Sequence, residues 1–203
     1  MKYLVFPMNV FLGASLIATK AFSFSPEINH NNHKVSIMLS AAESLEEWRI
    51  TNDGVMGGLS KGNVSIKNNA INFTGTISTE NNGGFTSVFR RVAPLPKTLK
   101  SIRILVKGDG NRFQLRVRSK VSRYSLAYKI SFPTTVNKAV SHTFKLADFK
   151  ASFRGRDIEN APTLSASTIE EVGFLFTEKQ AKGFDISILA LDFLESSFEE
   201  ENL

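Results

Sequence analysis

The stretch "RFQLRVRS", Arg112–Ser119, alternates without interruption: Phe113, Leu115 and Val117 fall on one side, and Arg112, Gln114, Arg116 and Arg118 on the other. A side-chain period of two marks a strand with one buried and one solvated face. Half-burial of that kind belongs to antiparallel sheets. Working outward, "SIRILVKG" turns Ile102, Ile104 and Val106 inward and Arg103 and Lys107 outward. "YSLAYKISF" puts Tyr124, Leu126, Tyr128, Ile130 and Phe132 on one side, and "AINFTGTI" aligns Ile71, Phe73 and Ile77. "FTSVFRRV", "SHTFKL", "EVGFLF" and "FDISILALDF" complete the series. Turn chemistry separates the runs: Asn81 to Gly84, Gly108-Asp109-Gly110 and Lys182-Gly183. About nine short strands punctuated in this way predict an all-β protein, a β-sandwich or jelly roll.

The alternation begins at Ala70. Two stretches favour short helices, "AAESLEEW" at 41–48 and "TLSASTIEE" at 163–171. No repeat or second domain is visible, so the folded domain is read as 43–195. The acidic end, 196–203, is read as a frayed tail.

Composition sets broad limits. Seventeen Phe against three Tyr and one Trp can fill a sizeable core. With no Cys, disulfides, thiolate metal sites and Cys nucleophiles are excluded. The net charge of +6 suits an acidic partner or a phosphate surface.

The first residues, "MKYLVFPMNVFLGASLIATKAFSFS", hold an early Lys and then an apolar run to about Ala18. The run is short for a membrane span of roughly 20 residues and is broken by Pro7 and Asn9. It reads as a cleavable signal peptide over 1–23, with cleavage after Ala21 or Ser23. Residues 24–42 are rich in Ser and Asn with one acid, Glu27, and read as a disordered transit-like or linker segment. The junction "TKAFSFSP" resembles the bipartite presequences of diatom-type algae, in which a signal peptide precedes a plastid transit peptide that begins with Phe. The expected destination is a plastid, with export to a periplasm as the alternative. A mitochondrial presequence fits less well, since no Arg precedes Arg49.

Catalytic machinery is hard to assemble. His30 and His33 fall in the leader, leaving His142, in "VSHTF", which reads as a surface or edge histidine. Asp53, Asp109, Asp148 and Asp157 lack the spacing of a calcium loop. "GDGNRF" is followed by a strand, so no helix N-terminus stands behind it to hold a pyrophosphate. No enzyme activity, metal or cofactor is expected. The basic strand face of Arg112, Arg116 and Arg118 is a candidate surface for phosphates or an acidic protein, with the Phe residues on the opposite face. Asn63 and Asn72 occupy Asn-x-Ser/Thr acceptor positions.

A second candidate is the Gly-rich run "WRITNDGVMGGLSKG", Trp48 to Gly62. Gly54, Gly57 and Gly58 permit positive φ and close approach, Asn52 and Asp53 can bond the loop to itself, and Trp48 would anchor it from below. Met56, Asn82, Gly83, Gly84 and Asp109 extend this candidate binding rim. If the rim recognises a partner, Asp53, Met56 and Asn82 share one exposed patch; if the loops are only corners of the sandwich, they do not.

These motifs carry a resemblance. "W-x3-NDGVMGGLSxG", "FTGTISTENNGGFTSVFR", "VKGDGNRFQLRVR", "YKISF", "DFKASFRGR", "VGFLF" and "KGFDISI" occur in order from about Leu45 to Phe193. Together they resemble the complex I intermediate-associated protein 30 family. The Trp and Leu-Pro pair that often precede the matching Asp-Phe are missing from "SHTFKLADF". The resemblance implies a galactose-binding-like jelly roll. It also implies a non-enzymatic, chaperone-like assembly factor that binds subunits or intermediates of a multi-subunit membrane redox complex, of respiratory complex I type or photosynthetic. Such a factor works at the membrane periphery, with no transmembrane helix in its mature chain. Two alternatives stand beside it: an RNA-associated factor of organelle gene expression using the Arg face, and a carbohydrate-binding module.

Overall fold

Alternating apolar side chains need a second layer to bury them, and the chain supplies it by folding two sheets face to face. The computed structural model describes residues 34–37, 39, 45–121, 124–153 and 156–195. Its strands are β1 (Lys34–Ser36), β2 (Arg49–Asn52), β3 (Lys61–Lys67), β4 (Ala70–Ile77), β5 (Phe85–Arg91), β6 (Leu99–Gly108), β7 (Arg112–Val121), β8 (Tyr124–Pro133), β9 (Ala139–Lys145), β10 (Lys150–Phe153), β11 (Arg156–Asp157), β12 (Ile169–Thr177) and β13 (Lys182–Glu195). One sheet runs β3-β4-β13-β6-β9, with β1 also paired to β13; the other runs β11-β10-β8-β7-β12-β5-β2. Strand pairing in both is antiparallel. This is the expected β-sandwich of jelly-roll type.

The inward rows are those of the alternation. Phe113, Leu115 and Val117 on β7 face Ile102, Ile104 and Val106 on β6, all essentially inaccessible. Toward one end an aromatic cluster fills the space between the sheets: Phe176 stands 4.6 Å from Phe184 and 5.0 Å from Phe113, and Phe73 4.8 Å from Phe184. Each ring contributes hydrophobic burial and a favourable tilted or edge contact, which is why Phe dominates the aromatic count.

Three expectations are corrected. Among the described residues there are thirteen strands rather than about nine. The additional ones include β1, β2 and β3, which precede Ala70 and are short or carry Gly and Asn, so alternation is faint in them. β1 lies inside the stretch expected to be linker: Lys34 to Ser36 pair with Leu194 to Asp192, and Val35 and Leu39 are buried. The stretch 163–171 is no helix; a single 3-10 turn, Ala166–Thr168, leads straight into β12. The signal peptide, the first half of "AAESLEEW" and the 196–203 tail lie outside the described residues. No helix among the described residues is long and apolar enough to cross a membrane.

Register places the loops. Phe85 pairs with Thr177, Arg112 with Pro133 and Lys182 with Ile77, so the segments 53–60, 78–84, 109–111, 134–138 and 178–181 gather at one end of the sandwich. The segments 92–98, 146–149 and 158–168 gather at the other.

Candidate binding surfaces

The rim is organised by one carboxylate. β2 delivers Asn52, whose Oδ1 accepts from the Gly62 amide (3.1 Å) and the Thr86 hydroxyl (2.6 Å). Asp53 follows and is fully buried. Its Oδ1 accepts from the Ser60 amide (3.0 Å), and its Oδ2 from the Ser60 hydroxyl (2.5 Å) and the amides of Gly84 (2.7 Å) and Phe85 (3.3 Å). Burial alone would raise its pKa; the Ser60 hydroxyl and the amides of Gly84, Phe85 and Ser60 outweigh burial and hold the carboxyl below its ordinary value. Two glycines make room for it. A Cβ on Gly58 would stand 2.3 Å from Asp53 Cγ, and one on Gly83 2.6 Å from Oδ2. The Asn81 side chain then donates to the Gly57 carbonyl at 3.0 Å, tying the two loops together again.

The rim residues of the sequence therefore separate. Asn52, Asp53, Gly57, Gly58, Gly83 and Gly84 come together, but Asp53 spends its whole acceptor capacity inward and does not share an exposed patch with anything. Gly54 adopts no positive φ. The side chains of Met56 and Asn82 lie outside the described residues. Asp109 sits at the same end in a separate turn, accepting from the Asn111 amide (3.0 Å), the Asn111 side chain (2.7 Å) and the Asp185 amide (2.8 Å). Trp48 is not beneath this loop. The length of β2 carries it about 16 Å from Asp53. It is buried at the opposite end, tilted against Phe174, with the Arg90 guanidinium 5.8 Å from its ring centroid. Exposed apolar side chains at the rim are Leu59 and Val136.

The outer face of the seven-stranded sheet is a different kind of surface. Cross-strand partners share a face, so Lys129, Arg116, Gly173, Phe89 and Arg49 form one row across β8, β7, β12, β5 and β2. Arg118, Glu171 and Arg91 form the next. Arg116 and Arg118 do point outward, as the alternation requires, yet the face is not simply basic. Glu171 accepts from Arg118 Nη1 at 2.7 Å and pairs with Arg49 on its other oxygen. Lys129 pairs with Asp157 at 2.5 Å, and Arg116 donates to Gln114 at 2.9 Å. Phe89, contrary to the expectation that Phe stays inside, lies on this face; the Arg118 guanidinium covers it at 4.1 Å from the ring centroid. A Cβ on Gly173 would strike the Phe89 ring at 2.7 Å, so that glycine is what lets the ring lie flat on the sheet. Burial and the neighbouring Arg118 lower the Arg116 pKa. Arg112, at the start of β7, is exposed near the glycine rim and makes no ion pair among the described residues.

Sequence reasoning missed Glu171, Phe89 and Ser60. Glu171 was concealed in the stretch read as helical. Arg90 is 3% exposed and pairs with Glu47. Arg103, outward-facing as the alternation predicts, stands on the other sheet against Asp192 at 3.0 Å. His142 on the edge strand β9 packs against Phe132 at 5.3 Å, and burial lowers its pKa. Asn72 is buried and engaged with Ala70 and Ser187, which leaves exposed Asn63 as the acceptor position open to modification.

The end opposite the glycine loops carries shallow clefts. One is lined by Lys97, Lys100 and Lys145 around Leu99, Leu146 and Leu164.

Residues 37–188 match the family model described as complex I intermediate-associated protein 30. Among curated proteins none matches the chain. Among solved structures it is similar to the family 11 carbohydrate-binding module of a cellulosomal cellulase from Clostridium thermocellum. Identity there is 11%, the TM-score 0.60, and coverage 79% of this chain and 95% of that one. It is also similar to part of an agarase, with 9% identity, a TM-score of 0.57, and coverage of 81% of this chain and 25% of that one. Identities this low describe a shared fold.

Proposed function

The chain belongs to the complex I intermediate-associated protein 30 family, and from that premise we propose that it is a non-enzymatic binding domain that holds assembly intermediates of a multi-subunit membrane redox complex. The client is a respiratory complex I type assembly or a photosynthetic one, met at the membrane periphery. The observation that supports this reading is the outer face of the seven-stranded sheet, where half-exposed Arg49 and Arg118 share Glu171 beside a covered phenyl ring. A mixed-sign face with an apolar centre matches a protein surface, whose charges come in both signs. A polyanion such as RNA would have to draw both arginines away from Glu171 first.

The test is capture from the native membranes with the tagged chain, followed by identification of what co-purifies. Subassemblies of one membrane redox complex, without the finished complex, are the expected catch. The same capture with Glu171→Lys and Arg118→Glu should fail. A catch of abundant soluble proteins only, or one indifferent to the two substitutions, ends this reading. A plastid destination is part of the proposal; residues 1–42 fused to a fluorescent reporter should carry it there.

A further inference from the structure

We propose that the outer face of the seven-stranded sheet, where it runs from β10 through β8 to β7, accepts a carboxylate-rich segment of the client polypeptide, which takes the place of Asp157 on a row of three cations. That the occupant is a polypeptide rests on the function proposed above; the row itself is set by register. Lys150 on β10 is the cross-strand partner of Lys129 on β8, and Lys129 is the partner of Arg116 on β7. Cross-strand partners project from one face about 5 Å apart, so the three stand in a line about 10 Å long. Two like-charge pairs in succession are unfavourable for the sheet that carries them. Packing does not require the charge at the end of the row, since Lys150 is exposed and makes no ion pair among the described residues.

Within the molecule one carboxylate answers this row. Asp157 bonds Lys129 at 2.5 Å, and Lys129, followed by the charges of Lys150 and Arg116, holds it below its ordinary carboxylate value. Its side chain is 55% exposed and is carried by β11, a strand of two residues at the end of the sheet. Three cations against one carboxylate leave an excess of positive charge. The row also ends on a guanidinium that is only partly satisfied: Arg116 donates from Nη1 to Gln114, while its Nε is buried without a partner. Beside the row the floor is low, because the adjoining positions on β10 and β8 are the small Ser152 and Ala127. A segment with neighbouring carboxylates thus meets matching charge and has room to lie across the strands. The site's own content favours carboxylates over a nucleic-acid backbone. The ligand it already holds is a carboxylate, and Glu171, the partner of Arg118 in the next row, repels a continuous chain of phosphates.

The probe is a capped tetraglutamate peptide, titrated into the full chain at about 10 mM salt and followed by amide NMR. Shifts should saturate, centre on Arg116, Lys129 and Lys150, and vanish at about 1 M salt; capped tetraglutamine should give none. Lys129→Gln and Lys150→Gln should each weaken binding by up to about fivefold. Asp157→Asn removes the resident competitor and should tighten binding by a similar factor, an effect that a merely structural pair with Lys129 would not produce. Lys150→Gln should not lower the urea midpoint, since it removes a like-charge pair. The proposal is overturned by shifts that do not saturate, by shifts indifferent to the lysine substitutions, or by weaker binding in Asp157→Asn. It is overturned equally if inorganic phosphate or an oligouridylate binds the same row more tightly than the peptide. The membrane capture separates this inference from the function it refines. A capture that succeeds and ignores Lys129→Gln with Lys150→Gln leaves the function standing and removes this site. A capture of soluble proteins only, beside a normal peptide titration, removes the function and leaves the carboxylate site.

Discussion

Two carboxylates organise the two surfaces, and they are held in opposite ways. Asp53 is caged by neutral donors, one hydroxyl and three backbone amides, in a site with no exposure. Glu171 is shared by two charged donors, Arg49 and Arg118, that are themselves about half exposed. Amides of the main chain cannot leave without unfolding the loops they belong to. Guanidinium groups on long stems can rotate toward another anion. The first arrangement fixes shape, and the second keeps a surface available for exchange.

The strongest way to break that contrast is Asp53→Ala. It strands the amides of Ser60, Gly84 and Phe85 together, while the Ser60 hydroxyl keeps the Ser78 carbonyl, and should cost about 3–5 kcal/mol, read as a fall in the urea midpoint. That is a large share of the stability of a domain of this size. Gly58→Ala comes next, at about 2–4 kcal/mol, because the new methyl meets the Asp53 carboxyl. The pair sharpens the comparison: in the Asp53→Ala background the carboxyl is gone and only the Cβ of residue 53, 2.8 Å away, still crowds the new methyl, so the double variant should cost less than the sum.

Acid gives the third test. The folded pKa of Asp53 is depressed, so its contribution is complete above the ordinary carboxylate value of about 3.9 and is lost as pH falls through the folded value. Wild type should lose stability below about pH 4 more steeply than Asp53→Asn, measured by urea melts at stepped pH. The smallest effects belong to the other surface. Glu171→Gln should cost only about 1 kcal/mol, while releasing Arg49 and Arg118 to give stronger, salt-sensitive retention on a phosphate matrix. Arg112→Ala should change stability by less than about 0.5 kcal/mol.

The sequence made the long strands legible wherever alternation was clean, as in Arg112–Ser119, because period two is a local property. It did not reveal β1, since three residues cannot show a period and their partner lies at the other end of the chain. The glycine loops announced themselves as corners, but not what they enclose. An Asp is ordinarily a surface residue, and the burial of Asp53 is decided by amides more than thirty positions away. Trp48 was assigned to the loop by proximity in sequence; an extended strand turned five residues into the distance between two ends of the molecule. Glu171 escaped because Leu164, Ala166 and Glu170 beside it favour helix locally, while its place between β7 and β5 overrides that preference.

The position of β13 governs the order in which the molecule can be built. It is the last of the described strands, yet it pairs with β4, β6 and β1 inside the six-stranded sheet. A polypeptide emerging from a ribosome or a translocation pore, N-terminus first, therefore carries β4 and β6 each with an open edge until β13 has emerged. The six-stranded sheet cannot close before then, and the Phe-rich layer stays accessible to holding chaperones for that whole interval.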